Sequence, residues 1–162
     1  MLSCFLRPTH SRNGKSLHTP TIDSCLKLVA LLGIATVGTM AYAVPATLYE
    51  RLGGEKAIVQ FVDETINLTS SDPRTRRTFE KINMLKLKKK ISTHSCKLAD
   101  GPCTYDGDPM NLVHQGMDIT EAEFYGMVEH LRFALGRAGV AEGAKNELLR
   151  ILAPMKREIV TR

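Results

Sequence analysis

Histidine, lysine and cysteine are the residues of this chain whose type and placement invite chemistry. The 162 residues include five histidines, of which His10 and His18 lie in a polar, basic N-terminal stretch. That leaves His94, His114 and His130 for the body of the chain. A neutral imidazole ligates iron and other transition metals through one ring nitrogen while the other is free to hydrogen-bond. His114 stands in NLVHQGMDIT, between an irregular loop and a helix-start signal. A histidine on such a short, loosely held segment could approach a ligand face-on, although a lone histidine is more often a loop or core residue. His94 falls on the apolar face of a helical stretch, so it reads either as a satisfied core histidine or as a polar group in a ligand pocket. His130, beside Leu131 on a long amphipathic stretch, reads as structural.

Two further groups carry chemistry of their own. Lys86, Lys88, Lys89 and Lys90 form a basic run that reads either as a solvated face or as a site for anionic groups. Cys96 and Cys103 are seven residues apart. They could pair across a helix end and the following loop in an oxidising compartment, or remain two buried thiols. Their spacing fits no zinc pattern. No C-x-x-C-H occurs, so covalent c-type haem attachment is not expected.

The elements that must position these residues are helical. An LYERL turn is broken at Gly53-Gly54, and Ala57, Ile58, Phe61, Val62 and Ile66 then recur at helical spacing. Asp72-Pro73 stops that helix, and a short segment ends near Phe79. Asn83 can cap the next helix, whose apolar face reads as Met84, Leu87, Ile91 and Leu98. A polar loop with Gly and Pro runs from Asp100 to Pro109. Thr120 and Glu123 form a capping box ahead of Phe124, Val128, Leu131 and Leu135, and Gly136 and Gly139 mark that helix's end. Leu148, Leu152, Met155 and Ile159 give a last helix its buried face. These signals predict an all-α domain over residues 44–162.

Residues 1–43 read as a leader. A basic stretch ending at Lys27 precedes the apolar run LVALLGIATVGTMAYAVPA, and Ala41-Tyr42-Ala43 has the small-x-small form of a cleavage site. Cleavage after Ala43 and a periplasmic or secreted mature chain are expected. The alternatives are an uncleaved anchor, the only membrane contact foreseen, or a cytoplasmic protein whose start codon lies elsewhere. The leader carries four cations against Asp23, so the overall charge of +5 leaves only about +2 on the body. Nucleic acid is therefore not an expected partner, since its footprint would be a basic patch on the folded domain. No repeat or heptad points to a solenoid or fibre.

From Leu48 to Val160 the chain resembles a group I truncated haemoglobin, a two-over-two helical globin. The matching stretches are LYERLGGEKAI, DGPCTYDGDPM, VHQGMDIT and ELLRILAPMKREIV, in order and without apparent gaps. The resemblance implies b-type haem with His114 as the proximal iron ligand. It places Phe79 in the haem pocket, and Tyr105, Gly107, Pro109 and Met110 in the loop leading to the proximal segment. It also implies haem contacts from Leu87, Lys90 and Ile91. The position where many members carry a ligand-binding tyrosine is Ile66 here, and positions often polar on the distal helix are Leu87 and Ile91. None of these can donate a hydrogen bond. Lys90 and His94 are the remaining polar candidates for the distal side. Lys90 reads either as a partner of haem propionates or as an iron ligand.

The function this implies is reversible binding of O2, NO or CO by a monomer or weak dimer. A haem enzyme, converting NO to nitrate with a reductase partner or acting as a peroxidase, is the alternative enzyme reading; binding rather than catalysis is favoured. A haem-free basic helical binding module is the third. An absorption spectrum separates the third from the others, because only haem gives a Soret band.

Overall fold

The computed structural model describes residues 45–162. The leader and its cleavage point after Ala43 lie outside the described residues. Every regular element among the described residues is helical.

The body opens with a four-residue helix, α1 (Leu48–Arg51), which a reciprocal cap makes viable. The Thr47 hydroxyl accepts from the Glu50 amide at 3.2 Å, and the Glu50 carboxylate accepts from the Thr47 amide at 2.9 Å. Gly53 and Gly54 then take positive φ values of 94° and 70°, a reversal that side chains resist, and α2 (Gly54–Ser71) begins. Its inward stripe is Ile58, Phe61, Val62 and Ile66, all buried. Ala57, expected on that stripe, is only half-buried. Thr65 and Thr69 share the buried side because each hydroxyl donates to the carbonyl four residues back, at 2.6 and 2.7 Å.

Asp72-Pro73 ends α2 as expected, and a 3-10 turn (Arg76–Phe79) leads to α3 (Met84–Leu98). The Asn83 side chain caps α3 by accepting from the Lys86 amide at 3.0 Å. A loop then runs to α4 (Met110–Val113), and His114 is the C-cap of α4. The Thr120–Glu123 capping box is formed, and α5 (Glu121–Arg137) follows it. Gly139, at φ 74°, turns the chain into α6 (Glu142–Leu152). The last helix differs from its expected form. Pro154 has no amide hydrogen to continue the ladder, so a 3-10 turn (Ala153–Met155) separates α6 from a short α7 (Lys156–Ile159). Leu148 is fully buried, while Leu152, Met155 and Ile159 are half-exposed.

Helix α2 is the axis of the body, packing against α3 on one side and α5 on another. Helix α1 docks on α2 and α6, and α4 docks on α7. The centre contains Leu52, Phe61, Ile66, Leu135 and Leu148, each essentially without exposure. Side chains of this size stabilise the fold by roughly 1.5–3 kcal/mol apiece when buried.

The turn between α2 and α3 is fastened to α5 along its length. His130 Nε2 lies 3.0 Å from Asp72 Oδ2, and Arg74 reaches Glu129 at 3.5 Å. Between them the backbone of Gly126 comes so close that a Cβ there would sit 2.7 Å from the buried Thr75 methyl. His130 is thus structural, as its sequence position suggested.

Candidate functional site

His114 sits at the end of a helix one turn long, and a hydrogen bond orients its ring. Nδ1 lies 2.8 Å from the Met110 carbonyl oxygen. A carbonyl can only accept, so Nδ1 carries the proton and a neutral ring keeps its lone pair on Nε2. Among the described residues no hydrogen-bond partner engages that second nitrogen, and the side chain is part-buried. Met110, a candidate for cofactor contact, therefore also orients the ring through its backbone.

Leu87, Lys90, Ile91 and His94 recur at helical spacing along one flank of α3. Leu87 and Ile91 are half-buried against the core, while the residues of α3 buried deepest are Ser95 and Cys96 near its end. The apolar spacing misses Ser95, because serine is a weak core residue, while Cys96 reads as a disulfide or buried-thiol candidate and not as part of the helix's apolar face. Phe79 packs on the same core from the end of the 3-10 turn. Ile66 is wholly buried on α2, in the core cluster.

The loop after α3 folds back along that helix and fixes its polar residues. Cys96 and Cys103 are joined by a disulfide, with their Cα atoms 5.9 Å apart. Tyr105 lies on His94, ring centroids 4.4 Å apart at 34°. A Cβ at Gly107 would collide with the Tyr105 ring, which explains the glycine two residues on. Lys90 Nζ donates to Asp106 Oδ1 at 2.5 Å. That bond raises the Lys90 pKa and lowers that of Asp106, so both remain charged. Desolvation lowers the His94 pKa, favouring its neutral form.

A cleft of about 340 Å³ lies on another flank of α3. Val59, Leu85, Lys88 and Lys89 are among its lining residues. It contains no histidine and none of the candidate haem-contact residues, although Lys88, Lys89 and the Cys96–Cys103 pair line it. The donor chemistry is the better guide. Among the described residues no group of three or more His, Cys, Asp or Glu could hold a metal ion. One imidazole with a free Nε2 is poorly suited to a bare cation, but it fits an iron already held in the plane of a porphyrin. Half-buried Phe79, Leu87 and Ile91 offer the apolar surface such a flat ring needs. The residues present therefore fit haem.

Residues 47–161 match the family model described as bacterial-like globin, and the chain belongs to that family. It is similar to the group 1 truncated haemoglobin GlbN of Mycolicibacterium paratuberculosis, with 36% identity over 119 residues, 74% of this chain and 88% of that one. It is also 31% identical to GlbN of Nostoc commune over 107 residues, covering 65% and 91% of the two chains. Among solved structures, the Fe(III) form of the Tetrahymena pyriformis truncated haemoglobin superposes with a TM-score of 0.69 at 26% identity. That match covers 72% of this chain and all of the other. The fold is the two-over-two truncated globin expected from sequence, and membership implies haem-based binding of small diatomic ligands.

Proposed function

We propose that this globin holds b-type haem through His114 Nε2 and reversibly binds O2, NO or CO at the haem iron. The observation that carries the reading is the Nδ1 bond to the Met110 carbonyl, which reserves Nε2 for a metal. His114 would hold the haem, whose iron would supply the chemistry for binding a diatomic ligand. Met110 orients the imidazole, and Phe79, Leu87 and Ile91 give the porphyrin an apolar bed. Tyr105 holds His94, and Asp106 holds Lys90, on the flank of α3. His94 is the group we assign to polar contact with the ligand, because desolvation keeps its ring neutral. Lys90, kept charged by Asp106, is assigned to the propionate side rather than to iron.

Export is part of the same proposal. The Lys27-led apolar run supports it, and so does the Cys96–Cys103 disulfide, which suits an oxidising compartment.

Titration of the purified chain with haemin tests the function. A Soret band that saturates at one haem per chain, and a ferrous form that takes up CO reversibly, are expected. A chain that gains no Soret band beyond that of free haemin would refute the proposal.

A further inference from the structure

His114 belongs to no long helix, and its segment has little of its own to hold it. No residue of α4 is buried. Beyond it, Gly116 and Asp118 adopt left-handed backbone, with φ of 75° and 48°. An aspartate in that region is held there by its surroundings. Behind Asp118, the Ile119 carbonyl accepts from the amides of Thr161 and Arg162, which anchors the side toward the chain's end. The side toward His114 is held by Arg77.

The Arg77 guanidinium joins three pieces of the fold. Nη1 donates to the Met117 carbonyl at 3.1 Å, and Nη2 donates to the Asp118 carbonyl at 3.0 Å. Nε and Nη2 donate to the two oxygens of Glu123, each at 2.9 Å. Glu123 is 11% exposed and also accepts from the amide and hydroxyl of Thr120, both at 2.9 Å. One side chain thus ties the turn ending in Phe79 to the backbone just after His114 and to the first turn of α5. Their hydrogen bond raises the Arg77 pKa and lowers that of Glu123, so the pair stays charged. A planar fork makes such contacts together, whereas a lysine can supply the charge but not the span.

We infer that Arg77 is a positioning residue for His114, fixing the backbone at Met117 and Asp118 and with it the direction in which the imidazole is presented. The inference rests on the reading of His114 as the iron ligand. It concerns how the imidazole is aimed, so its marks are local order and the iron–histidine bond rather than overall stability.

Amide hydrogen exchange and ferrous resonance Raman spectra of the haem-loaded full chain test it, comparing Arg77→Ala and Arg77→Lys with the parent. Arg77→Ala should speed exchange of the amides of residues 115–119 about tenfold, the loss expected for hydrogen bonds to a charged group partly open to water. The core amides of Phe61 and Leu135 should keep their parental rates. The iron–histidine stretching band should shift or broaden, and Arg77→Lys should recover only part of both effects. Uniform acceleration across the chain would overturn the inference, as would an unshifted band in Arg77→Ala or full recovery by lysine. His114→Ala, measured beside them, separates the two readings. If it keeps the band, the assignment of His114 itself fails. If it loses the band while Arg77→Ala keeps the parental one, only the role of Arg77 fails.

Discussion

A histidine binds metal through whichever nitrogen its surroundings leave free, and the Met110 carbonyl makes that choice for His114. On the flank of α3 the same kind of argument separates His94 from Lys90. To ligate iron, Lys90 must leave Asp106 and lose a proton. Its pKa is raised, so deprotonation moves to higher pH and the ammonium persists throughout the neutral range. His94 has the opposite shift, so a neutral ring, able to donate one hydrogen bond, is favoured down to lower pH. Lys90→Ala should therefore leave the ferric spectrum at neutral pH unchanged. His94→Ala should speed oxygen dissociation by about tenfold, the scale of one lost hydrogen bond. A low-spin form at neutral pH that disappears in Lys90→Ala would reverse the two assignments. The sequence made both residues legible as polar candidates. It could not rank them, because Asp106 and Tyr105 reach them from a loop with no periodicity to read.

At the scale of elements, the loop between α3 and α4 runs back along α3 as a strap. Its attachments are Cys103 to Cys96, Tyr105 to His94 and Asp106 to Lys90, in reverse order along the helix. Gly101 allows the strap to turn, since a Cβ there would lie 2.6 Å from the Cys96 sulfur and 2.9 Å from its carbonyl. Closing so short a loop should stabilise the fold by about 2–3 kcal/mol relative to the reduced chain. Urea unfolding with and without a dithiol reductant measures that difference. Protein from its native host should begin at Val44 and show no titratable thiol. An intact N-terminus would contradict the export reading, and free thiols at Cys96 and Cys103 would contradict the strap. Helix starts were the most legible elements, because Asn83 and Thr120 announce them by local chemistry. The last helix was less so: its apolar spacing continues through Pro154, and the ring of that proline breaks the ladder regardless.

For the whole molecule, caps and apolar spacing were enough to give an all-α body, and the order of four motifs gave its family. What they left hidden are contacts distant in sequence. Arg77 and Glu123 are 46 residues apart, and His130 and Asp72 are 58 apart. Neither pair has a local signature, yet both tie the turn before α3 to α5. The described residues form a helical frame in which α2 packs on α5 and the backbone after His114 is hydrogen-bonded to Arg77 and to the chain's last residues.

Replacing that imidazole is the most direct test. His114→Gly, loaded with haem and reduced, should lack the iron–histidine stretching band and release haem faster than the parent. Free imidazole added to the variant should restore the band and slow the release, since it can ligate the iron without a bond to the chain. A His114→Gly protein that keeps the parental band and retains haem without imidazole would show that another residue holds the iron.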